Sequence, residues 1–210
     1  MKVVLLNGSP NANGCTYTGL SIIQKQLAVH GVDSEIFQAG KKPIVGCTAC
    51  RTCKKPGSEG RCVFGDGDGV NAVAQALREA DGLIVGSAVH YAAATGAVTS
   101  FMDRLFYSTE LAAKRLKFGA SIVSCRRGGA SAAFDQLNKY FTISQMPVVS
   151  SCYWNSIHGF KPEDVLKDEE GVRVMKTLAD NMAYLIKCKY AASHVPLPEE
   201  LPPAVTSFIR

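Results

Sequence analysis

The chain lacks a long hydrophobic run: no stretch approaches the roughly 20 apolar residues needed to cross a bilayer. It also lacks a signal-peptide pattern, since one Lys near the N-terminus is followed directly by strand-like sequence. These absences predict no membrane partner and a cytoplasmic location. The 23 basic residues are scattered, so the net charge of +5 does not form the stripe that nucleic acid requires. We expect no nucleic-acid partner, although a mildly basic surface favours anionic ligands such as nucleotides.

Lys and Arg are also absent between Lys2 and Lys25, a stretch that contains a glycine-rich loop. The loop reads NGSPNANGCT over residues 7–16, between an apolar strand pattern and an amphipathic helix pattern. Such a loop forms a phosphate site, because free backbone N–H groups and the helix dipole converge there. A triphosphate loop would need Lys where Cys15 stands, and the dinucleotide fingerprint G-x-G-x-x-G is missing. Neutral donors suit the single phosphate of a mononucleotide, and FMN is the leading candidate.

Short β-rich runs alternate with helical patterns along the chain, which predicts an α/β fold. Strands are predicted at 2–6, 34–38, 83–86, 120–124 and 147–151. Helices are predicted at 16–29, 70–80, 96–107, 130–142 and 169–187. Right-handed crossovers favour a flavodoxin-like, doubly wound parallel sheet of five strands in the order 2-1-3-4-5, with helices on both faces. We expect one domain over 1–190, with a Cys-rich insertion at about 40–69 and a C-terminal tail over 191–210.

The insertion carries four of the eight cysteines, at Cys47, Cys50, Cys53 and Cys62. Three cysteines at compact spacing followed by a fourth are typical of a [4Fe–4S] cluster. Zinc is less natural, because four-cysteine zinc sites usually consist of two separated pairs. Dithiol–disulfide chemistry is a further alternative. The cysteines could also be free of metal and only shape the loop.

Two more segments should join the phosphate loop at the carboxyl edge of the sheet, where such folds bind ligands. One follows the third strand and contains Val89, His90 and Tyr91, which could line a flat ring. The other reads RRGG over 126–129 and follows the fourth strand. Its glycines allow close backbone approach, and its arginines could offset the negative charge of a reduced flavin.

Together these motifs resemble the NAD(P)H-dependent FMN reductase family of flavodoxin-like proteins, in the branch that contains the iron–sulfur flavoproteins. The family pattern G-S-P-R-x-x-G-N-T is similar to GSPNANGCT at 8–16. The pattern S-P-V-Y is similar to SAVHY at 87–91, and the helix ending F-x-D-R to FMDR at 101–104. Asp103 and Arg104 in that ending are expected to make a structural or subunit-interface ion pair. The resemblance covers roughly residues 1–190.

The resemblance implies an FMN-dependent oxidoreductase that takes NAD(P)H as substrate and reduces flavin, quinone or a similar acceptor. Such an enzyme needs no dedicated catalytic side chain, because the chemistry takes place at N5 of the flavin. The alternative is an iron–sulfur flavoprotein that transfers electrons between FMN, the cluster and a redox protein. A third hypothesis is a flavin-free sensor. The family also implies a homodimer or homotetramer.

Three groups of cofactor-binding residues are implied by the same resemblance. Asn11 and Cys15 stand where the family has Arg and Asn, so the loop has weaker phosphate donors than the family pattern. The phosphate group comprises Ser9, Asn11, Asn13, Gly14, Cys15 and Thr16. The flavin wall comprises Val89, His90 and Tyr91. The contacts to the polar edge of the ring comprise Arg126, Arg127, Gly128 and Gly129.

Overall fold

The computed structural model of the chain describes residues 1–41, 43–202 and 204–206. Its strands are β1 (Lys2–Asn7), β2 (Asp33–Gln38), β3 (Gly82–His90), β4 (Ala93–Ala94), β5 (Phe118–Cys125) and β6 (Ser156–His158). Five of them form a sheet in the order β2-β1-β3-β5-β6, and β4 pairs with β3 alone. All the pairs along the five-stranded path are parallel. The predicted α/β class and flavodoxin-like order are confirmed.

The helices of the described chain cover both faces of the sheet. They are α1 (Cys15–Val29), α2 (Val70–Glu79), α3 (Gly96–Ser108), α4 (Ala130–Ile143), α5 (Pro162–Val165) and α6 (Glu169–Ala191). Successive side chains of β1 point to opposite faces, so Val4 packs in the core under α2, α3 and α4, while Leu5 packs in the core under α1 and α6. This double burial explains why the strands read as continuous apolar runs.

The fifth strand position is divided between two segments, which corrects the prediction for 147–151. Within those residues only Val148 forms a bridge, to Gly119 of β5. The hydroxyl of Ser151 then bonds the backbone of Tyr153 locally, donating to its carbonyl at 2.7 Å. Such a local bond competes with the strand ladder and turns the chain away from the sheet. The chain returns as β6, where Ser156 pairs with Val123.

The strand registers bring the carboxyl ends of the parallel strands to one edge. Asn7 of β1 lies beside Gly86 of β3, and Cys125 of β5 lies beside His158 of β6. The loops that follow these strands therefore leave the sheet on the same side. In the described part of 39–69, the regular structure is one 3-10 turn at Thr52–Lys54. Among the residues described, no helix has the length and apolar character to span a bilayer.

Candidate functional site

The glycine-rich loop after β1 packs between the middle of β3 and the start of α3. The amide of Gly8 donates to the Gly86 carbonyl at 2.8 Å, and the Thr95 hydroxyl donates to the Gly8 carbonyl at 2.7 Å. A Cβ at Gly8 would lie 2.3 Å from the Cγ2 of Val98. The position therefore requires glycine, and the close packing holds the loop in one place.

The same loop presents unpaired backbone donors at the N-terminus of α1. Gly14 caps the helix without a side-chain hydrogen bond. Within residues 1–41, 43–202 and 204–206, the amides of Asn13, Thr16 and Tyr17 have no protein acceptor. Ser9 is buried, and its hydroxyl accepts from the Asn11 amide at 3.2 Å. Converging amides at the positive end of a 15-residue helix form an anion site.

Two side chains of the predicted phosphate group bond the protein itself. The Thr16 hydroxyl lies 2.7 Å from the hydroxyl of Ser124 at the end of β5. If Ser124 donates in this pair, the Thr16 proton remains available to an anion. The thiol of Cys15 points to the Gly159 carbonyl at 3.6 Å, and burial raises its pKa. Cys15 is therefore a neutral thiol that faces the loop after β6.

The segment after Gly86 is a β-hairpin, which the sequence interpretation missed. Strand β3 continues to His90, and β4 pairs back on it with His90 opposite Ala93. The two turn residues, Tyr91 and Ala92, both have left-handed backbones, with φ of 51° and 60°. His90 is exposed and Tyr91 is fully exposed, whereas Val89 packs against the core. Of the three predicted wall residues, His90 and Tyr91 are thus accessible to a ligand.

The loop after β5 meets this hairpin. Gly129 has a left-handed backbone, with φ of +89°, and a Cβ there would lie 2.7 Å from the Cα of Ala92. Gly128, Arg126 and Arg127 are exposed. Neither arginine pairs with a carboxylate in the described part of the chain, so both charges are available to an anionic ligand. The three predicted segments thus lie along one edge of the sheet.

The four cysteines of the insertion line a separate pocket beside α3. They share it with the side chains of Phe64, Arg104 and Tyr107. All four are free thiols. Burial raises the pKa of Cys53, whereas hydrogen bonds from Thr52 lower the pKa of the exposed Cys50. The cysteines that line the pocket are Cys47, Cys50, Cys53 and Cys62.

Cys62 is the most firmly held of the four. The Asn71 side chain brackets its backbone, accepting from the Cys62 amide and donating to its carbonyl, each at 2.9 Å. The Nε of Arg104 donates to its sulfur at 3.2 Å. Asn71 was missed because its two partners lie nine residues earlier, in a segment without periodicity.

Asp103 and Arg104 form separate interactions on two sides of α3. Asp103 accepts a hydrogen bond from the Tyr140 hydroxyl at 2.5 Å. Burial and this carboxylate raise the pKa of Tyr140. Arg104 forms its ion pair with Asp68. Adjacent residues on a helix point in different directions, so the two expected partners do not face each other.

Comparison with known proteins gives the family of the chain. The family of NADPH-dependent FMN reductases matches residues 1–161. The chain belongs to this family. Two iron–sulfur flavoproteins of Methanocaldococcus jannaschii are each 28% identical to this chain. The first match covers 89% of this chain and 98% of the relative, and the second covers 90% and 98%. The resemblance to the iron–sulfur flavoprotein branch is confirmed.

Solved structures confirm the fold of the chain. RosB with a bound intermediate superposes with a TM-score of 0.68 at 12% identity, over 100% of this chain and 94% of that one. The apo form of an NADH:FMN oxidoreductase has a TM-score of 0.62 at 18% identity, over 88% and 89%. An archaeal flavodoxin has a TM-score of 0.60 at 19% identity, over 89% and 99%.

The family assigns FMN as cofactor and NAD(P)H as reductant, and the phosphate loop fits the first of these. An FMN phosphate needs several N–H donors converging on one point, and the N-terminus of α1 provides them. The chain is an FMN-dependent oxidoreductase of this family. Its acceptor is a small molecule or a redox partner.

The cysteine pocket offers four thiols as possible ligands. In the residues that the structure describes, no three His, Cys, Asp or Glu side chains are arranged to hold one metal ion. Four free thiols around one pocket are the donor set that a [4Fe–4S] cluster requires.

Proposed function

We propose that the three loops at the carboxyl edge form the FMN site. The observation that carries this proposal is the group of unpaired amides at the N-terminus of α1, in a loop without Lys or Arg. The phosphate contacts are Ser9, Asn11, Asn13, Gly14, Cys15 and Thr16. The flavin wall is Val89, His90 and Tyr91. The contacts to the polar edge of the ring are Arg126, Arg127, Gly128 and Gly129.

When bound, FMN would accept hydride from NAD(P)H and release electrons singly or in pairs. The protein supplies position and charge. The amides near Gly14 hold the phosphate, and Gly129 allows its loop to pack closely against Ala92 of the hairpin. Arg126 and Arg127 offset negative charge on the reduced ring. Exposed His90 and Tyr91 leave this edge open to the donor and acceptor.

The test compares FMN with riboflavin, which lacks the phosphate. We expect anaerobic protein to bind FMN and to bind riboflavin at least about tenfold more weakly, since several charge-assisted hydrogen bonds are lost. Spectra before and after NADH and NADPH then report reduction and donor choice. Equal affinity for the two flavins contradicts the phosphate-loop assignment. Failure to bind either flavin supports the flavin-free sensor.

We further propose that Cys47, Cys50, Cys53 and Cys62 hold a [4Fe–4S] cluster. The shared pocket and the free thiols support this assignment. With the cluster, the protein fits the second candidate function, electron transfer between FMN and a redox protein. Iron and sulfide assays on anaerobic protein should find both in C188S, which alters an exposed cysteine on α6, and neither in C62S. Wild-type protein without iron and sulfide contradicts the cluster.

We propose that the chain assembles as a homodimer or homotetramer in the cytoplasm. Exposed aromatic side chains support an interface, among them Tyr91, Tyr153 and Trp154. Eight free thiols fit a reducing compartment. Light scattering coupled to size exclusion gives the mass directly. A monomer at all accessible concentrations contradicts the assembly.

A further inference from the structure

Arg104 carries a positive charge deep inside the protein, next to the cysteine pocket. Its side chain is 1% exposed and belongs to α3. Its Nε donates to the sulfur of Cys62 at 3.2 Å, and its Nη1 donates to the Val45 carbonyl at 3.2 Å. Both terminal nitrogens bond the Asp68 carboxylate. All three nitrogens of this guanidinium thus donate to residues of the Cys-rich insertion.

The ion pair with Asp68 stabilises the charged guanidinium in its buried position. A guanidinium stays protonated in proteins, and the Asp68 carboxylate compensates its buried charge here. The planar ring of Phe64 lies 5.8 Å from the guanidinium carbon. The guanidinium is therefore a fixed cation whose hydrogen bond to a sulfur is set by packing.

Cys62 is held by more hydrogen bonds to side chains than Cys47 and Cys50 are. Its backbone is bracketed by Asn71 and its sulfur by Arg104. By contrast, Cys47 and Cys50 are exposed and lie near residues with left-handed backbones, Ala49 and Arg51. The positive charge of Arg104 therefore acts on the cysteine pocket mainly through the sulfur of Cys62.

We propose that Arg104 is a positioning residue that tunes the reduction potential of the cluster through the Nε–H bond to the Cys62 sulfur. This inference rests on the cluster proposed above. Reduction adds negative charge that spreads onto the thiolate sulfurs, and a hydrogen-bond donor at a sulfur stabilises that charge. Arg104 therefore raises the potential. Asp68 acts in the opposite direction, because its carboxylate partly neutralises the guanidinium.

The two residues of the ion pair thus have effects of opposite sign on one measurable quantity. R104M removes the donor and leaves a carboxylate unpaired, so we expect a lower midpoint potential. D68N keeps the donor and removes the negative charge, so we expect a higher one. The double variant R104M/D68N removes both charges of the ion pair, so no buried carboxylate is left without its partner. Its potential should lie below that of D68N.

The experiment is a redox titration of anaerobically reconstituted, full-length protein, followed by electron paramagnetic resonance. R78M is the matched control, because Arg78 also bonds the insertion, at the Glu59 carbonyl, and a carboxylate, that of Glu110. It touches no cysteine sulfur, and we expect it to retain the wild-type potential. Iron content and thermal melting are recorded for each variant.

The outcomes separate this inference from the cluster itself. Wild-type protein that holds no iron contradicts the proposed cluster. Iron-loaded variants in which R104M and D68N shift the potential in the same direction, or not at all, overturn the role of Arg104. So does an equal shift in R78M. Loss of iron from both R104M and the double variant also overturns it, because tuning, unlike ligation, leaves the cluster in place.

Discussion

The proposed phosphate loop, which includes Asn11, contains no charged side chain. The loop offers amides and hydroxyls, and none of its residues is cationic. Screening by salt acts strongly on exposed charge pairs and more weakly on hydrogen bonds from neutral donors. FMN affinity in the wild-type protein should therefore depend only weakly on ionic strength.

N11R should convert this neutral site into a cationic one. We expect FMN to bind about tenfold more tightly at low salt, because a guanidinium forms charge-assisted bonds with a phosphate. That gain should disappear at high salt. The measurement is quenching of flavin fluorescence at both salt levels, with N11Q as the neutral control. An unchanged affinity in N11R would show that residue 11 does not face the phosphate.

Lys114 is a buried residue whose protonation depends on its surroundings. It is 5% exposed, and its ammonium donates to the Phe106 carbonyl. Burial, with repulsion from Lys54, lowers the pKa of Lys114 to about 8 from 10.5. The folded state thus disfavours the charged form. Between those two pH values the unfolded chain binds more protons, so stability rises with pH.

This linkage predicts a difference between wild type and K114M. From neutral pH to about pH 10, wild type should gain about 2 kcal/mol in unfolding free energy relative to K114M, after allowance for partial hydration of the ammonium. Urea unfolding at several pH values measures it. K139M, which removes an exposed lysine on α4, should show no such difference from wild type. Parallel curves for wild type and K114M would refute the lowered pKa.

At the scale of elements, the β3–β4 hairpin is the unusual feature of the site. A two-residue turn with both φ values positive normally contains Asn or Gly, and here it contains Tyr91 and Ala92. Left-handed backbone costs a residue with a Cβ about 1 kcal/mol or more. The turn is maintained by its contacts, since Gly129 packs against Ala92 and the Ala94 amide donates to Gln136 at 3.0 Å.

A92G should relieve this strain. We expect unfolding free energy to rise by about 0.5 kcal/mol, the left-handed penalty less the greater freedom of Gly in the unfolded chain. A132G, at an exposed position inside α4, should lower it by about 0.5–1 kcal/mol. Urea denaturation of the two variants provides the comparison. A loss of stability in A92G would mean that the methyl group makes contacts worth more than the strain.

At the scale of the whole molecule, the site depends on three strands at once. Gly8 follows β1, Thr95 follows the hairpin of β3, and Ser124 belongs to β5. A ligand held by these loops can bind only when the sheet is formed. FMN binding should therefore be coupled to global unfolding.

FMN should stabilise the whole fold by mass action. At a concentration one hundred times its Kd, we expect about 2.7 kcal/mol of additional unfolding free energy. The slope of the urea transition should stay constant, because the same surface is exposed on unfolding. Circular dichroism and flavin fluorescence should report one midpoint. Two separate transitions would show that the loops unfold independently of the sheet.

The fold and the phosphate loop could largely be predicted from the sequence, whereas the fifth strand and the hairpin could not. The apolar runs of β1, β3 and β5 stand out because both faces of the sheet are buried. Segment 147–151 contains only one apolar pair, Val148 and Val149, and local hydroxyl bonds at Ser151 end its pairing. The turn at Tyr91 carries no Asn or Gly, so it gave no sequence signal.

The sequence by itself predicted the glycine-rich loop at the N-terminus of α1, because its residues are consecutive in one strand, loop and helix. Backbone amides need only local conformation to converge. Tertiary structure alone decided the surroundings of the cysteines. The bond between Arg104 and Cys62 joins residues 42 positions apart, and the pair between Arg104 and Asp68 spans 36. Such contacts follow from the packing of α3 against the insertion. The residue pattern within either segment does not predict this packing.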